Sequence, residues 1–508
     1  MVRLSDVTNP LGPLRGALLL VRRDATLGTI ADRLAGVHGD APLVEQDRDG
    51  LTLTYRDAAT LVDRWAGGIA ARVSPGDRVV IATPNGYEQI LLCLAASRAG
   101  AIPAPVNAEM RDDEIRHVER DCDAALTIRH PDDVADRDPL GAAHPAAPGD
   151  SAALFYTSGT TGKPKGAELT HQSLVGGVAP AVLFPSRMRR DEAVVSLSSA
   201  HIMGFAVLMG LACAGIPVYL ITHFRPDSVL DAIEQRRSTA FVGVPAMYRL
   251  MLEAGAEQRD LTSVRVWGSG ADAMPGELAA RFKSMGATAT LPLVGSIGEA
   301  TFVEGYGMVE VGGGVAAKLS PPWLGLGLGE SVGLALPQYH LKVMGSDGEP
   351  VHGDDVGELW IKGPGVLKGY WNAPDATAGA VTDDGWLRTG DLARRGPLGT
   401  VRFVGRDKDV IKHGGYSVYA LEVQVALEEH PDVAEAAVLG LADERVGEIP
   451  VAAVRLVPGT ELDPDGLRSW LAERIADYKV PKRIIAVDDL PRTGTEKVQK
   501  RELRVLFE

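Results

Sequence analysis

The run Thr157, Ser158, Gly159, Thr160, Thr161, Gly162, Lys163, Pro164, Lys165, Gly166 combines the ingredients of an anion site. Glycines let backbone N–H groups approach an anion closely, hydroxyls add donors, and two lysines supply charge that strengthens where water is excluded. The common nucleotide P-loop needs Gly, four residues, Gly-Lys and then Ser or Thr. Here Thr157 takes the place of the first glycine and Pro164 follows Lys163, so this is a different phosphate loop. Pro164 also bars an immediate helix, because the residue before a proline is pushed out of the α region. A solvated polar hairpin turn is the competing reading of the same composition.

Around that run the chain is long and acidic. Its 508 residues can bury a substantial core in several domains, or in one large domain with a small partner. The net charge of −15 argues against general nucleic-acid binding, though not against a local basic pocket. Only a short apolar patch (Ala17 to Val21) lies near the start, without a small-residue cleavage site, and no run approaches the length of a membrane span. Cys93, Cys122 and Cys213 are odd in number and scattered. They support neither a disulfide framework nor a CxxC metal site, so buried thiols in a reducing cytoplasm are the expectation.

The elements that must position the loop alternate in type. Apolar residues at helical spacing mark helices near Ile30 and Leu34, through Leu61, Val62, Trp65 and Ile69, and from Glu88 to Arg98. Strands are expected at Leu51 to Tyr55, Arg78 to Ala82, Ile102 to Val106 and Ala152 to Tyr156. After the loop come strands at Val194 to Ser198, Ile216 to Ile221, Ala240 to Val244 and Val264 to Trp267, with an apolar helix from Met203 to Ala212. Residues 129–149, rich in Asp, Pro, Ala and His, read as a surface connection. Alternating strands and helices predict an α/β fold with parallel-rich sheets, and ligands in such sheets sit beyond the carboxyl ends of the strands. The small-residue stops at Pro245 and at Gly268-Ser269-Gly270 are therefore where a pocket is expected.

Seven motifs in order then carry a resemblance. TSGTTGKPKG with His171, His201-Ile-Met-Gly204, Gly305-Tyr-Gly-Met-Val-Glu310, Arg388-Thr-Gly-Asp391, Gly405-Arg-Asp-Lys-Asp409, Lys412-His-Gly-Gly415 and Pro491-Arg-Thr493 with Lys497 resemble the motifs of the adenylate-forming enzymes. That superfamily includes acyl-CoA synthetases, firefly luciferase and the adenylation domains of peptide synthetases. The resemblance spans about Asp24 to Leu506. It implies that a carboxylate attacks the α-phosphate of ATP to give acyl-AMP and pyrophosphate, after which a thiol displaces AMP. Both steps build negative charge on oxygens, which preorganised cations and backbone donors stabilise.

Residue by residue, the resemblance makes Thr157 to Lys163 and Lys165 phosphate contacts and Glu310 the Mg²⁺ ligand. It makes Tyr306 the ring against adenine, with Gly270, Ala271, Gly307, Met308 and Val309 beside the nucleotide. Asp391 is the ribose acceptor and Arg406 a second ribose or phosphate contact. Lys497 is the lysine of adenylation; Lys412, Gly414 and Gly415 are the face presented for thioester formation. Lys408 is the pivot of a hinge. The implied architecture is a large N-terminal domain over 1–404, a hinge at 405–409 and a small mobile α+β lid over 410–508. A hinge suits two half-reactions that need different groups at one site.

Some positions depart from the family pattern. Val309 replaces a threonine, Glu496 a glycine beside Lys497, Ala420 a proline, and Ser417 stands where Asn or Gln is frequent. Asp272 puts a charge into a small-residue stretch. The candidate acyl pocket comprises His201, also counted among the catalytic candidates, with Met203, Gly204, Phe205, Gly243, Val244 and Gly305. Small and apolar residues there leave room for an aryl or medium-length acyl group and offer no cation to a second carboxylate. The expected activity is thus an AMP-forming acyl-CoA synthetase for a monocarboxylic acid, using ATP, Mg²⁺ and CoA. The alternative is a stand-alone adenylating enzyme serving an acyl carrier protein or another nucleophile. Oligomeric state, a homodimer included, stays open.

Overall fold

The computed structural model describes residues 24–157, 164–177, 191–291, 295–322, 331–492 and 498–507. These form two compact units. The first holds the described residues through 322 with Gly333–His340 and Ile361–Leu387; the second holds 331–332, Leu341–Trp360 and the described residues from Arg388 onward.

In the first unit a nine-stranded sheet runs in the order Leu334–Ala335, Gly313–Ser320, Thr301–Met308, Val266–Gly270, Ala240–Gly243, Ala193–Val195, Val218–Leu220, Pro42–Gln46, Thr52–Thr54. The six strands from Thr301–Met308 to Pro42–Gln46 are parallel, and antiparallel partners close both edges. Parallel strands are covered on both faces, which is why Ala193–Val195 is continuously apolar and fully buried. Helices Ile202–Ala214, Pro226–Arg236, Pro245–Glu253 and Gly276–Met285 supply cover. Pro245 stops one element and opens the next: the first helical position has no use for its N–H, so proline fits there.

One aromatic cluster fixes the strands that lead to the expected pocket. Phe241, Tyr248, Trp267, Phe282 and Phe302 are all at most 1% exposed. Their rings meet edge-on or tilted, with centroids 4.8 Å apart for Tyr248 and Phe282 and 5.1 Å for Trp267 and Phe282, the arrangement that aromatic quadrupoles favour. The Tyr248 hydroxyl donates to the Gly268 carbonyl at 2.7 Å, tying a helix to the strand that ends in Gly270.

Among the described residues three smaller sheets accompany the nine-stranded one, one of them the antiparallel pair Ala289–Leu291 with Gly295–Ile297. Ile102–Pro105, Arg78–Ile81 and Ala124–Ile128 are parallel; Gly369–Tyr370, Lys165–Thr170 and Ser151–Thr157 are antiparallel. The strand expected through Tyr55 ends at Thr54, because Thr54 and Asp57 form a reciprocal cap and start the helix Tyr55–Ala70. The connection over 129–149 is more than a surface crossing. A Cβ at Gly67 or Gly68 would lie 1.9 Å from the carbonyl oxygen of Asp138 or Val134, so the connection is pressed onto that helix.

The second unit has a four-stranded sheet (His340–Met344, Val356–Lys362, Leu387–Arg395, Val401–Arg406) and a five-stranded one. In the latter, the long hairpin Val433–Asp443 with Gly447–Leu456 sorts its side chains by alternation. Ala436, Val438, Ala452 and Val454 share a core with Val423, Leu427, Leu467 and Leu471 of the helices Ala420–Glu428 and Pro464–Ala472. Ala437, Leu439, Val451 and Ala453 share the other core with Leu503 of the helix Lys500–Val505.

Candidate functional site

The phosphate-loop candidate joins two paired strands. Thr157 at the end of Ser151–Thr157 lies opposite Lys165 at the start of Lys165–Thr170. Ser158, Gly159, Thr160, Thr161, Gly162 and Lys163 lie outside the described residues, as do Glu496, Lys497 and Thr493. The hairpin's near end is held by His117, whose Nε2 sits 3.1 Å from the Pro164 carbonyl oxygen. Past it, Lys165 places its ammonium nitrogen 5.4 Å from the centroid of the Tyr370 ring, within cation–π range.

Tyr370 also reaches Glu310. Its hydroxyl donates to Glu310 Oε1 at 2.9 Å, and the Leu367 N–H donates to the Glu310 carbonyl at 2.8 Å. Burial first, and then the Glu310 charge, push the Tyr370 hydroxyl's pKa above its ordinary value, so it remains a donor. The sequence reading missed Tyr370. Its only local signal is the Gly-Tyr-Trp run at 369–371, which by itself reads as a buried edge.

At the carboxyl end of the strand Val266–Gly270, Gly270 lies opposite Gly305, and Gly305 opposite Ala317. A Cβ on Gly305 would meet nothing nearer than the Ser269 carbonyl oxygen at 3.9 Å, so the space above it is open. Met203 reaches the same spot, its methyl 3.3 Å from where a Gly270 Cβ would be. His201 caps that helix: its Nδ1 accepts the Met203 N–H at 3.3 Å, which places the proton of the neutral ring on Nε2.

Other acyl-pocket candidates are engaged in packing. A Cβ on Gly204 would lie 2.0 Å from the Ser198 carbonyl oxygen, and one on Gly243 would meet the Phe241 ring at 2.8 Å. Phe205 is buried edge-on against Phe155 with centroids 5.3 Å apart, and Val244 is also buried.

Tyr306 is half-buried and lies opposite Ala316. The pairing slips immediately afterwards, between Tyr306 and Gly307, and a Gly307 Cβ would lie 1.9 Å from the Gly313 carbonyl oxygen. Glycine is thus required by the bulge itself. Met308 then leads into the short turn Val309–Val311 that carries Glu310. Ala271 has φ of +68°, a left-handed conformation costly for a residue with a Cβ. Asp272 is exposed and accepts the Ala273 N–H at 2.8 Å, so its carboxylate serves the turn.

Beneath Tyr306 on the same strand, Glu304 pairs with Lys318 across the sheet at 2.7 Å, with the Lys318 side chain only 7% exposed. Burial raises the Glu304 carboxyl's pKa, and the Lys318 charge opposes that rise.

In the second unit Asp391 is 2% exposed, and its Oδ1 lies 3.1 Å from Nε of Arg406 on the neighbouring strand. The preceding turn is tightly tied: Thr389 donates to the Leu359 carbonyl, and the Gly390 N–H donates to Glu358 Oε1 at 2.9 Å. Lys408 stands in the short turn Asp407–Asp409, its ammonium pKa lowered by partial burial and then by the neighbouring charge of Arg406. Lys412 donates from Nζ to Ser417 Oγ at 3.1 Å, directly across the hairpin. Gly414 and Gly415 make the hairpin turn with φ of +58° and +86°, the pair of left-handed positions that a two-residue turn of this hand requires.

Among the described residues no cluster of three or more His, Cys, Asp or Glu could hold a metal ion. A Mg²⁺ arriving with a nucleotide needs only one or two carboxylates besides phosphate and water, and Glu310 fits that requirement. No described helix is long and apolar enough to cross a membrane.

Comparison with known proteins agrees with this arrangement. The profile of the AMP-binding enzyme family matches residues 31–371, and that of the AMP-binding enzyme C-terminal domain matches 422–497. The chain is 34% identical to feruloyl-CoA synthase of an Amycolatopsis species, over 96% of this chain and 100% of the relative. It is also 34% identical to indoleacetate–CoA ligase of Aromatoleum aromaticum, over 94% and 97%. Among solved structures, ATP-bound MatB from Rhodopseudomonas palustris superposes with a TM-score of 0.83 at 28% identity, covering 94% of this chain and 99% of that one. The chain belongs to the AMP-binding enzyme family and is an adenylate-forming, ATP-dependent acid–thiol ligase.

Proposed function

We propose that the protein is an AMP-forming acyl-CoA synthetase whose acid is an aryl or medium-length monocarboxylate. The observation that carries the substrate class is a floor level with the carboxyl end of Val266–Gly270: Gly270, Gly305 and Ala317 in one row, open above Gly305, bordered by the apolar Met203. A flat or extended acyl group lies on such a floor, and the row offers a second carboxylate no cation. The feruloyl- and indoleacetate-activating relatives support the same class.

In the first half-reaction a carboxylate oxygen bonds to the α-phosphorus of ATP and the bond to the β-phosphate oxygen breaks, releasing pyrophosphate. The phosphate run with Lys163 and Lys165 holds the phosphates, and Tyr306 and Asp391 hold the nucleoside. Glu310 would hold a Mg²⁺, which when bound neutralises phosphate charge. Lys497 contacts the carboxylate and α-phosphate oxygens. In the second half-reaction the CoA sulfur bonds to the acyl carbon, its proton passes to solvent and AMP leaves. Lys412 and the Gly414-Gly415 turn face the pantetheine arm, and residues 405–409, with Lys408 as the pivot, are the hinge that exchanges the two sets of groups. The working compartment in this reading is the cytoplasm.

The test is pyrophosphate release with ATP and Mg²⁺ over ferulate, indoleacetate, benzoate, hexanoate, acetate and malonate, with and without CoA. Multiple turnover that requires CoA, with an aryl or medium-length acyl-CoA formed, is the expected result. Turnover with acetate or malonate alone overturns the substrate class. Pyrophosphate release indifferent to CoA transfers the assignment to an enzyme serving a carrier protein or another nucleophile.

A further inference from the structure

Tyr370 lies outside every motif assigned to the reaction, yet it touches two of the assigned groups at once. The segment containing it is clasped to the outgoing arm of the phosphate hairpin. Gly369 and Tyr370 pair with Glu168 and Ala167, and the N–H groups of Lys368 and Trp371 donate to the carbonyls of Glu168 and Gly166 at 2.9 Å and 2.8 Å. On its other side the same segment donates the Leu367 N–H to the Glu310 carbonyl. The Tyr370 N–H donates to Thr377 Oγ1 at 2.8 Å, which fixes the residue from a third direction. So anchored, the ring turns one face to the Lys165 ammonium at 5.4 Å and its hydroxyl to Glu310 Oε1 at 2.9 Å. Among the described residues, no other hydrogen bond reaches that carboxylate.

We propose that Tyr370 is a positioning residue: its hydroxyl fixes the rotamer of Glu310 for the metal that accompanies ATP, and its ring fixes Lys165 for the phosphates. This rests on the adenylate-forming reading. A donor to one oxygen of a ligating carboxylate orients the group and leaves the other oxygen to the metal, and such partners typically change metal affinity by roughly 10- to 100-fold when removed. The ring contact is independent of the hydroxyl, so the two roles separate by substitution.

Tyr370→Phe keeps the ring and deletes the hydroxyl; Tyr370→Leu deletes both. The first measurement is ATP binding without any acid, by calorimetry in EDTA and across a Mg²⁺ titration, with the thermal midpoint recorded for each protein. Tyr370→Phe is expected to raise the Mg²⁺ concentration for half-maximal effect roughly tenfold while leaving ATP binding in EDTA as in the parent. Tyr370→Leu is expected to show the same Mg²⁺ shift and to bind ATP severalfold more weakly in EDTA as well. A parental Mg²⁺ dependence in Tyr370→Phe overturns the proposal.

The second measurement is the double variant with Glu310→Gln. If Tyr370 acts through Glu310, Tyr370→Phe adds nothing to the Mg²⁺ shift of Glu310→Gln, whereas additive shifts overturn it even if each variant is less stable. Binding is read without turnover. A parent that binds ATP with Mg²⁺ but releases no pyrophosphate with any acid would defeat the proposed activity and leave the Tyr370 result intact.

Discussion

At the scale of single residues, the imidazole of His171 is 3% exposed, and its Nδ1 accepts the Leu27 N–H at 3.1 Å. Burial lowers its pKa from 6.5 to about 4. The unfolded chain therefore takes up this proton near pH 6.5 while the folded chain resists it to about 4. The stability it contributes is complete above pH 6.5 and is lost as pH falls through that window, by roughly 3 kcal/mol in all. His171→Asn keeps an acceptor and cannot titrate. Urea unfolding of that variant at several pH values is expected to lack this share of the pH dependence, and an unchanged profile would refute the assignment. The residue-level departures from the family also acquire physical roles: Ser417 receives the Lys412 ammonium, and Asp272 closes its own turn. Nothing described here explains Val309.

At the scale of elements, the bulge after Tyr306 sets the spacing between the adenine-side ring and the Glu310 turn. Gly307→Ala would thrust a methyl into the Gly313 carbonyl, forcing the two strands apart. A destabilisation on the order of 1–3 kcal/mol is expected, with weaker ATP binding, read by urea unfolding and calorimetry; unchanged values for both would show that the strands absorb the methyl freely. In the core below, Tyr248→Phe deletes the hydroxyl's hydrogen bond to the Gly268 carbonyl, and a loss of about 1 kcal/mol is expected in the same unfolding experiment. Much of this layer was legible in the chain. The strands at Arg78–Ile81, Ile102–Pro105 and Ala240–Gly243 stood out because buried strands are short apolar runs between turn residues. Partnership was not legible. Nothing local says that Gly369–Tyr370 completes the phosphate hairpin's sheet, because pairing over some two hundred residues is chosen by packing. Tyr370 was missed for that reason, as was the buried pair of Glu304 and Lys318, whose charges suggest solvent until the strands are paired. Likewise Gly204 and Gly243 looked like pocket volume, and the structure uses their smallness for close packing.

At the scale of the whole molecule, the two half-reactions are expected to fail separately. Lys497→Ala should abolish acid-dependent pyrophosphate release. Lys408→Pro fixes φ within the short turn Asp407–Asp409 and should leave a single turnover of adenylate formation intact while slowing acyl-CoA formation at least roughly tenfold. Rapid-quench assay of each step decides, and a Lys408→Pro enzyme with parental acyl-CoA formation would refute the hinge.

The sheet of the first unit carries a further consequence, for how the protein is made. Its strand Pro42–Gln46 waits for Val218–Leu220, and Asp47 waits for Thr222, 175 residues later, to donate to its carboxylate. At a synthesis rate of about 5–20 residues per second, a ribosome needs roughly 9–35 s to deliver that partner. Throughout that interval Pro42–Gln46 has only its hairpin partner Thr52–Thr54 and its other edge is open, so the yield of active protein in a host cell depends on translation speed and on chaperones that occupy that edge.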